Sequence, residues 1–129
     1  MGNNREQTTA RRVAIYCRVA TADQHDMALE SQVQSLRDYA EAQGYNIVDI
    51  IRECGTGTTM ERPGIRTLYA LAGRRAMDEV LARSISRYTR GAAAEFAGFI
   101  EEMADAGVTA ATMLEGNLRD ILPVLRELP

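Results

Sequence analysis

The stretch Val13-Ala14-Ile15-Tyr16-Cys17-Arg18-Val19 decides the fold class, because it is a mainly apolar run of the length of a β-strand. Branched and aromatic side chains favour extended backbone, and a run without polar alternation is typical of a strand buried on both faces. Such strands belong to parallel sheets, which need helices on both sides. The polar segment that follows, up to His25, predicts a loop at the carboxyl end of this strand.

Helical and extended patterns alternate through the rest of the chain. Apolar residues recur every three or four positions from Met27 to Gln43, which predicts an amphipathic helix closed by Gly44. Alternating strands and helices predict an α/β fold in three layers, with a mostly parallel sheet of four to five strands flanked by helices. The further predicted elements are a strand at Ile47–Ile51, a loop at Glu53–Glu61, a helix from Pro63, a strand at Glu79–Ile85, a helix at Ala92–Ala106, a strand at Val108–Leu114, and a last helix at Asn117–Leu128 that Pro123 kinks or interrupts.

Size and composition indicate a single domain of 129 residues, of which 46% are hydrophobic. The polar residues 1–12 predict a flexible N-terminal arm, and residues 13–129 the ordered domain. The sequence contains neither a signal peptide nor a run of about 18 apolar residues. Cys17 and Cys54 form no metal-binding or disulfide pattern. We therefore expect a cytoplasmic protein without a membrane partner, a metal or a small-molecule cofactor.

Charge is distributed unevenly along the chain, although the formal net charge is only −3. Residues 1–90 hold 13 basic and 11 acidic side chains, whereas residues 91–129 hold 2 basic and 7 acidic ones. An anion site is therefore expected in the first part of the chain. Three loops that follow predicted strands carry Arg18, Arg62, Arg87 and Arg90 beside small hydroxyl residues. Because ligands gather at the carboxyl ends of parallel strands, these loops predict an oxyanion or phosphate site.

Three collinear segments resemble the serine recombinases of the resolvase and invertase type. Residues 16–24, YCRVATADQ, are similar to the family pattern Y-x-R-V-S-T-x-x-Q, with Ala20 at the serine position. Residues 53–57 and 61–64, ECGTG and ERPG, resemble D-x-x-S-G followed by R-P-G. Residues 86–90, SRYTR, resemble D-R-L-x-R. Matches in the expected order, each on the expected strand or loop, are far more specific than isolated motifs.

The resemblance implies a resolvase-like catalytic domain and a chemistry of DNA strand exchange. In that family a serine hydroxyl attacks a DNA phosphodiester and forms a 5′-phosphoserine bond without metal or cofactor. Clustered arginines would stabilise the charge on the phosphoryl oxygens. The resemblance assigns this role to Arg18, Arg62, Arg87 and Arg90, and a role in ordering the loop to Gln24.

The departures from the family pattern change the expected function. Ala20 has no heteroatom, so it cannot act as the nucleophile. Ser86 replaces an aspartate that would orient the neighbouring arginine, and its loss should loosen the arginine cluster. Glu53 and Thr56 keep the functional group of the family residue with one more carbon. The chain also stops before the long helix and the separate DNA-binding domain that typical members carry.

Other residues with nucleophilic or ligating groups have simpler interpretations. Thr21 could replace the missing serine, but neighbouring side chains point in different directions. Cys17 fits a small core residue, and Cys54 lies beside a carboxylate that does not favour a thiolate. His25, the single histidine, fits a solvated loop residue. Alternatively, the four arginines no longer bind a phosphate and are retained only because Glu53, Glu61 or other carboxylates stabilise them.

Three hypotheses follow from these observations. The first is a recombinase-fold pseudoenzyme that binds the DNA phosphate backbone weakly, or associates with an active recombinase or with itself, so that it modulates site-specific recombination without cutting. The second is a truncated form of an active recombinase that carries an engineered serine-to-alanine change at residue 20. The third is a protein-interaction module without a role on DNA, for which the acidic last third of the chain is the main indication.

Overall fold

The computed structural model describes residues 10–20 and 25–128, without the side chains of residues 25–27. Strands and helices alternate along most of these residues, as predicted. The elements are β1 (Arg12–Val19), α1 (His25–Ala42), β2 (Asn46–Cys54), α2 (Pro63–Gly73), β3 (Glu79–Ala82), the short α3 (Ile85–Tyr88), α4 (Ala93–Asp105), β4 (Thr109–Thr112), β5 (Gly116–Asn117), a 3-10 turn (Leu118–Ile121) and α5 (Leu122–Glu127).

The strands form one five-stranded sheet in the order β2-β1-β3-β4-β5. The pairs β1–β2, β1–β3 and β3–β4 are parallel, and only the two-residue β5 pairs antiparallel with its neighbour. Consequently the carboxyl ends of β1, β2 and β3 lie at the same edge of the sheet. The loops that carry the arginines all leave from this edge.

Alternate residues of β1 enter two separate cores, one on each face of the sheet. Val13, Ile15 and Cys17 pack with α1 residues such as Leu29 and Leu36. On the opposite face, Ala14 and Tyr16 belong to a larger core with buried residues of α2, α4 and the C-terminal segment. All seven residues from Val13 to Val19 are buried, which the uninterrupted apolar run predicts. The predicted three-layer α/β fold is therefore confirmed.

Several predicted boundaries were wrong. Strand β2 runs on to Cys54, so Glu53 and Cys54 lie in the sheet rather than in the predicted loop, because β1 remains paired with β2 to its last residue. The strand predicted at Glu79–Ile85 ends at Ala82, and Ile85 starts a helical turn. The apolar Ile85 packs partly buried against the core from that turn, so its apolar character does not require a strand.

The predicted last helix divides into three pieces. Asn117 lies in β5, residues 118–121 form the 3-10 turn, and α5 occupies only Leu122–Glu127. Pro123 lies in the first turn of α5, where its missing N–H costs no helical hydrogen bond. The proline thus sets the start of a short helix and does not kink a long one.

Most of the predicted N-terminal arm, residues 1–9, lies outside the described residues. Its last two residues are held in place. Arg11 pairs with Glu79 at 2.7 Å, and Arg12 begins β1 and pairs with Asp78 at 3.0 Å. None of the described helices is long and apolar enough to cross a membrane.

Candidate functional site

The carboxyl edge of the sheet brings most of the predicted site residues together. Arg18 lies near the end of β1, Glu53 near the end of β2, and Arg62 at the start of α2. Ala20 is exposed in the bend that follows β1. The carbonyl of the preceding residue, Val19, accepts a hydrogen bond from the N–H of Gly55 at 2.9 Å. Gln24 and Thr21 lie outside the described residues, as does the side chain of His25.

Arg18 connects the loop that follows β2 with the segment that follows β3. Its Nη1 donates to the carbonyl of Gly55 at 2.6 Å, its Nη2 to the carbonyl of Ser86 at 2.6 Å, and its Nε to the carbonyl of Arg87 at 2.9 Å. Only 2% of the residue is exposed. All three guanidinium nitrogens are thus bound to backbone oxygens. The side chain therefore acts as a brace between the loops after β2 and β3.

Gly57 lies against this guanidinium group and has a φ of +78°. A Cβ at this position would lie 2.6 Å from Cζ of Arg18. Both the left-handed backbone and the close approach therefore require glycine. The carbonyl of Gly57 also accepts from the backbone N–H of Arg90 at 2.7 Å, which ties the loop after β2 to the segment after α3.

Among the described residues Arg18 has no carboxylate partner, and its hydrogen bonds go to the dipoles of three backbone carbonyls. Burial lowers the pKa of Arg18, and the nearby Arg62, Arg87 and Arg90 lower it further. Arginine nevertheless remains protonated in proteins. Four guanidinium groups thus lie close together at the carboxyl edge of the sheet, where an anion would reduce their mutual repulsion.

The side chain of Gln32 extends the hydrogen bonding of β1 where β3 stops. The parallel pairing of β1 with β3 ends at Ile15 and Leu81. Beyond it, the N–H of Arg18 donates to Oε1 of Gln32 at 3.1 Å, and Nε2 of Gln32 donates to the carbonyl of Arg18 at 3.0 Å. Gln32 is 2% exposed. A side chain from α1 thus fixes the backbone of Arg18, two residues before Ala20.

Arg62 and Glu53 form a buried ion pair beside Tyr16. Nε of Arg62 donates to Oε1 of Glu53 at 3.2 Å, and each side chain is only 7% exposed. Nη2 of Arg62 also donates to the hydroxyl of Tyr16 at 2.9 Å and to the carbonyl of Tyr88 at 2.6 Å, and Nη1 donates to the carbonyl of Thr59. Glu53 accepts further from the hydroxyl of Tyr16 and from the N–H of Gly64. Both charged groups are therefore fully engaged inside the protein.

Two tyrosines place this ion pair on the larger core. The rings of Tyr16 and Tyr88 stack at a centroid distance of 5.7 Å and an angle of 4°. Burial raises the pKa of Tyr16 above its ordinary value, and the hydrogen bond to Glu53 adds to the rise. The Tyr88 hydroxyl donates to the carbonyls of Val80 and Ala111. Tyr16 therefore stays protonated and acts as a donor to the carboxylate.

Arg87 and Arg90 differ from the other two arginines. Nη1 of Arg87 donates to the carbonyl of Arg18 at 3.1 Å, and the side chain is half-buried. Arg90 is exposed, and its side chain has no hydrogen-bond partner among the side chains and backbone that the structure describes. These two residues leave guanidinium donors facing solvent.

The hydroxyl residues of the site bond to one another. Oγ1 of Thr56 lies 3.0 Å from Oγ1 of Thr58, and Oγ of Ser86 lies 2.9 Å from Oγ of Ser84. Ser86 contributes to the arginine cluster through its backbone carbonyl. The sequence suggested Glu53 and Glu61 as partners of the arginines. Glu53 contacts Arg62, whereas Glu61 is exposed and forms no ion pair within the described part of the chain.

Gln32 and Glu95 also belong to this edge, although no pattern in the sequence indicates them. Glu95, in the first turn of α4, accepts from the N–H of Met60 at 3.0 Å and from the hydroxyl of Thr59 at 3.1 Å, and so holds the loop after β2. An acidic residue in the first turn of a helix usually stabilises that helix through the helix dipole. The contact of Glu95 with a distant loop therefore could not be inferred from the sequence. The 2% exposure of Gln32 is the structural signal of its role, because buried amides need partners.

No group of three or more His, Cys, Asp or Glu side chains within the described residues could hold a metal ion. A cavity of about 390 Å³ is lined in part by Arg11, Tyr39, Tyr45, Glu79 and Thr109 and does not include the four arginines of the carboxyl edge. The carboxyl edge thus offers the guanidinium donors of Arg87 and Arg90 and an exposed methyl group at Ala20.

Comparisons with known proteins match this architecture. Residues 13–121 match the family described as Resolvase, N terminal domain. The N-terminal catalytic domain of TP901-1 integrase superposes with a TM-score of 0.81 at 25% identity, covering 90% of this chain and 92% of that one. The C-terminal catalytic domain of ISC1926 TnpA, an IS607-like serine recombinase, gives a TM-score of 0.73 at 30% identity over 88% and 77% of the two chains.

A resolvase family site-specific recombinase from Streptococcus pneumoniae has the same fold, with a TM-score of 0.74 at 23% identity over 91% of this chain and 86% of that one. No curated protein matches the sequence.

Proposed function

This chain belongs to the resolvase N-terminal domain family, and we propose that it serves site-specific recombination without cutting DNA itself. The observation that carries the proposal is Ala20, which lies exposed directly after β1 and two residues beyond the brace residue Arg18. The resemblance places the attacking serine of the family at this position. A methyl group cannot attack phosphorus, whatever the surrounding arginines do to stabilise the reaction.

The hydroxyl groups of Thr56, Ser86 and Tyr16 do not offer a substitute nucleophile. A serine or threonine attacks only when a base is positioned to take its proton. Thr56 and Ser86 bond instead to other hydroxyls, those of Thr58 and Ser84. The buried Tyr16 hydroxyl is bonded to Glu53 and Arg62, and the raised pKa of Tyr16 disfavours a phenolate.

What the site retains is suited to binding. The positive carboxyl edge, with Arg87 and Arg90 facing solvent, can accept a phosphate of the DNA backbone. Few phosphate contacts give weak and salt-sensitive affinity, since non-specific binding grows with the number of phosphates neutralised. We therefore propose that the chain binds DNA weakly and acts beside an active recombinase.

The test measures covalent and non-covalent DNA binding separately. Fluorescence anisotropy with a short labelled duplex at several salt concentrations should show binding that weakens as salt rises. The native chain, incubated with DNA and an active serine recombinase acting on its own site, should give no detergent-resistant adduct of its own mass. A covalent adduct of the native chain would refute the non-cutting role, and absence of binding at low salt would favour the protein-interaction module.

A chain carrying Ala20→Ser is the matched variant. If residue 20 occupies the nucleophile position, this variant can form the 5′-phosphoserine adduct in the same mixture, whereas a variant carrying Ala28→Ser on α1 should not. An adduct with Ala20→Ser alone would also show that the remaining site is competent for cleavage.

A further inference from the structure

The cavity of about 390 Å³ lies where the end of α1 faces strands β3, β4 and β5. Arg11 lines it together with Glu79 and Thr109, the first residues of β3 and β4. Tyr39, in the last turn of α1, and Tyr45, just before β2, line it as well, and both residues are half-buried. The volume is within the range of about 300–1,000 Å³ that small-molecule sites occupy.

Glu79 places a charged group at a position that the fold could fill with an apolar side chain. The residue is only 6% exposed, and the next two residues of β3, Val80 and Leu81, belong to the two cores. Nε of Arg11 donates to Oε1 of Glu79 at 2.7 Å, and Nη2 of Arg11 donates to Oγ1 of Thr109 at 2.8 Å. Replacement of a buried ion pair by apolar residues is often neutral or stabilising. Stability alone therefore does not account for a charged pair in the wall of this cavity.

The polar groups of the cavity lie close together and keep further bonding capacity. Oε2 of Glu79 and Nη1 of Arg11 take no part in these two hydrogen bonds. Burial raises the pKa of Tyr45, and Glu79 and Tyr39 raise it further because both lie near its hydroxyl group. Aromatic side chains with a few convergent polar groups are typical of small-molecule sites. The cavity thus combines two aromatic rings with a carboxylate acceptor and a guanidinium donor.

We propose that this cavity binds a small flat molecule without net charge, of the nucleobase or nucleoside class, that carries an amine on its ring. Tyrosine rings stack on the flat face of any base. A carboxylate accepts from the ring amine, and a guanidinium group donates to the ring nitrogen or carbonyl beside it. Arg11 and Glu79 are the charged residues among those that line the cavity, and their charges cancel, so a charged ligand gains no net attraction.

The Glu79 carboxylate predicts a preference among the bases. Cytidine carries an amine beside a ring nitrogen, whereas uridine carries a carbonyl at the position of that amine. This carbonyl would face the carboxylate, and two acceptors cannot share a hydrogen bond. Cytidine should therefore bind about tenfold or more tightly than uridine. Cytidine 5′-monophosphate should bind no more tightly than cytidine, since the cavity offers the phosphate no excess of positive charge.

Nuclear magnetic resonance of the native chain tests the proposal, with cytidine as the probe. For a ligand of about 17 non-hydrogen atoms, we expect a dissociation constant of roughly 0.1–1 mM. The backbone N–H signals of Tyr45, Thr109 and Asn117, which line the cavity, should move during the titration. Those of Gly57 and Arg90 at the carboxyl edge should stay in place. Uridine, cytidine 5′-monophosphate and L-phenylalanine, a zwitterion with a flat ring, are titrated in parallel.

Two tyrosine variants form a matched pair. Tyr45→Leu removes a ring from the cavity and should weaken cytidine binding about fivefold or more. Tyr69→Leu removes a ring that packs on the larger core, on the opposite face of the sheet, and should leave cytidine binding unchanged. Glu79→Gln keeps the size of the side chain and removes its charge, so the preference for cytidine over uridine should fall. The melting temperature of each variant, by circular dichroism, shows whether the variant is folded.

The outcomes separate this proposal from its alternatives. Failure of the native chain to bind cytidine at about 10 mM, or movement of the carboxyl-edge signals instead, would overturn it. Binding of L-phenylalanine but not of cytidine would indicate a site for zwitterions and would overturn it as well. Equal losses of affinity in folded Tyr45→Leu and Tyr69→Leu would contradict the placement of the ligand. The proposed role on DNA is unaffected by these results, because the four arginines of the carboxyl edge do not line this cavity.

Discussion

Removal of the cation from the buried Arg62–Glu53 pair should destabilise the fold far more than removal of an exposed one. Both side chains of this pair are 7% exposed, and Arg62→Met leaves the Glu53 carboxylate buried without its partner. Breaking buried pairs in this way costs about 3–5 kcal/mol. For a chain of this size, 1 kcal/mol corresponds to a melting-temperature change of about 3–5 °C, so we expect a decrease of about 10–25 °C.

Arg52 provides the matched control, because it pairs with Glu30 at 2.7 Å with side-chain exposures of 40% and 59%. Exposed pairs contribute about 0–1 kcal/mol and are screened by salt. Arg52→Met should therefore lower the free energy of unfolding by less than about 1 kcal/mol.

Urea unfolding followed by circular dichroism measures both variants, and the double variant Glu53→Gln with Arg62→Met completes the comparison. The double variant should be more stable than Arg62→Met alone, because it no longer buries an unpaired charge. Losses of similar size in Arg62→Met and Arg52→Met, or no recovery in the double variant, would contradict the view that an unpaired Glu53 charge causes the instability.

Three further predictions follow from the contacts. Gly64→Ala would place Cβ 2.6 Å from a carboxylate oxygen of Glu53 and should cost about 1–3 kcal/mol by urea unfolding, whereas Gly73→Ala, with open space around it, should be neutral or stabilising; equal effects would argue against this packing. Arg12 holds the pKa of Asp78 below its ordinary value, so the stabilisation is present above the unfolded pKa of about 3.9 and is lost as the pH falls through the folded one. The stability difference between the native chain and Asp78→Asn should thus shrink in acid, and a constant difference from pH 7 to pH 2 would refute this coupling. Burial raises the pKa of the Cys17 thiol to about 12, so iodoacetamide at pH 8 should modify the exposed Cys54 and spare Cys17 until urea unfolds the chain, as mass spectrometry would show.

The sequence predicted the layers of the fold because each core-facing pattern is local. The seven buried residues of β1 and the periodic apolar residues of α1 follow from rules that act within one element. The end of β3 could not be predicted in this way. Ile85 has the apolar, branched side chain of a strand residue, but the chain turns there so that the carbonyls of Ser86 and Arg87 meet Arg18.

The sequence predicts that the four arginines gather at one edge, but it does not predict their hydrogen-bond partners. Sequence order indicates that Arg18, Arg62, Arg87 and Arg90 gather at one edge, since all four lie at or after the ends of parallel strands. Which of them are already bound depends on backbone carbonyls far away in the chain. The same holds for Gln32, whose amide bonds to a peptide group 14 residues away. Side-chain to backbone contacts of this kind leave no spacing pattern.

The alternation of β1 between two cores has a consequence for how the chain can change. Tyr16 and Arg18 occupy positions of equal parity, two residues apart, while Cys17 and Val19 enter the opposite layer. Insertion or deletion of one residue in the strand would exchange the two sets, bury the guanidinium group against α1 and remove the tyrosine from its stack. A single substitution in this strand leaves the alternation of side chains between the two cores intact, whereas a change in the length of the strand does not. The two cores therefore constrain the length of β1 whether or not residue 20 carries a hydroxyl group.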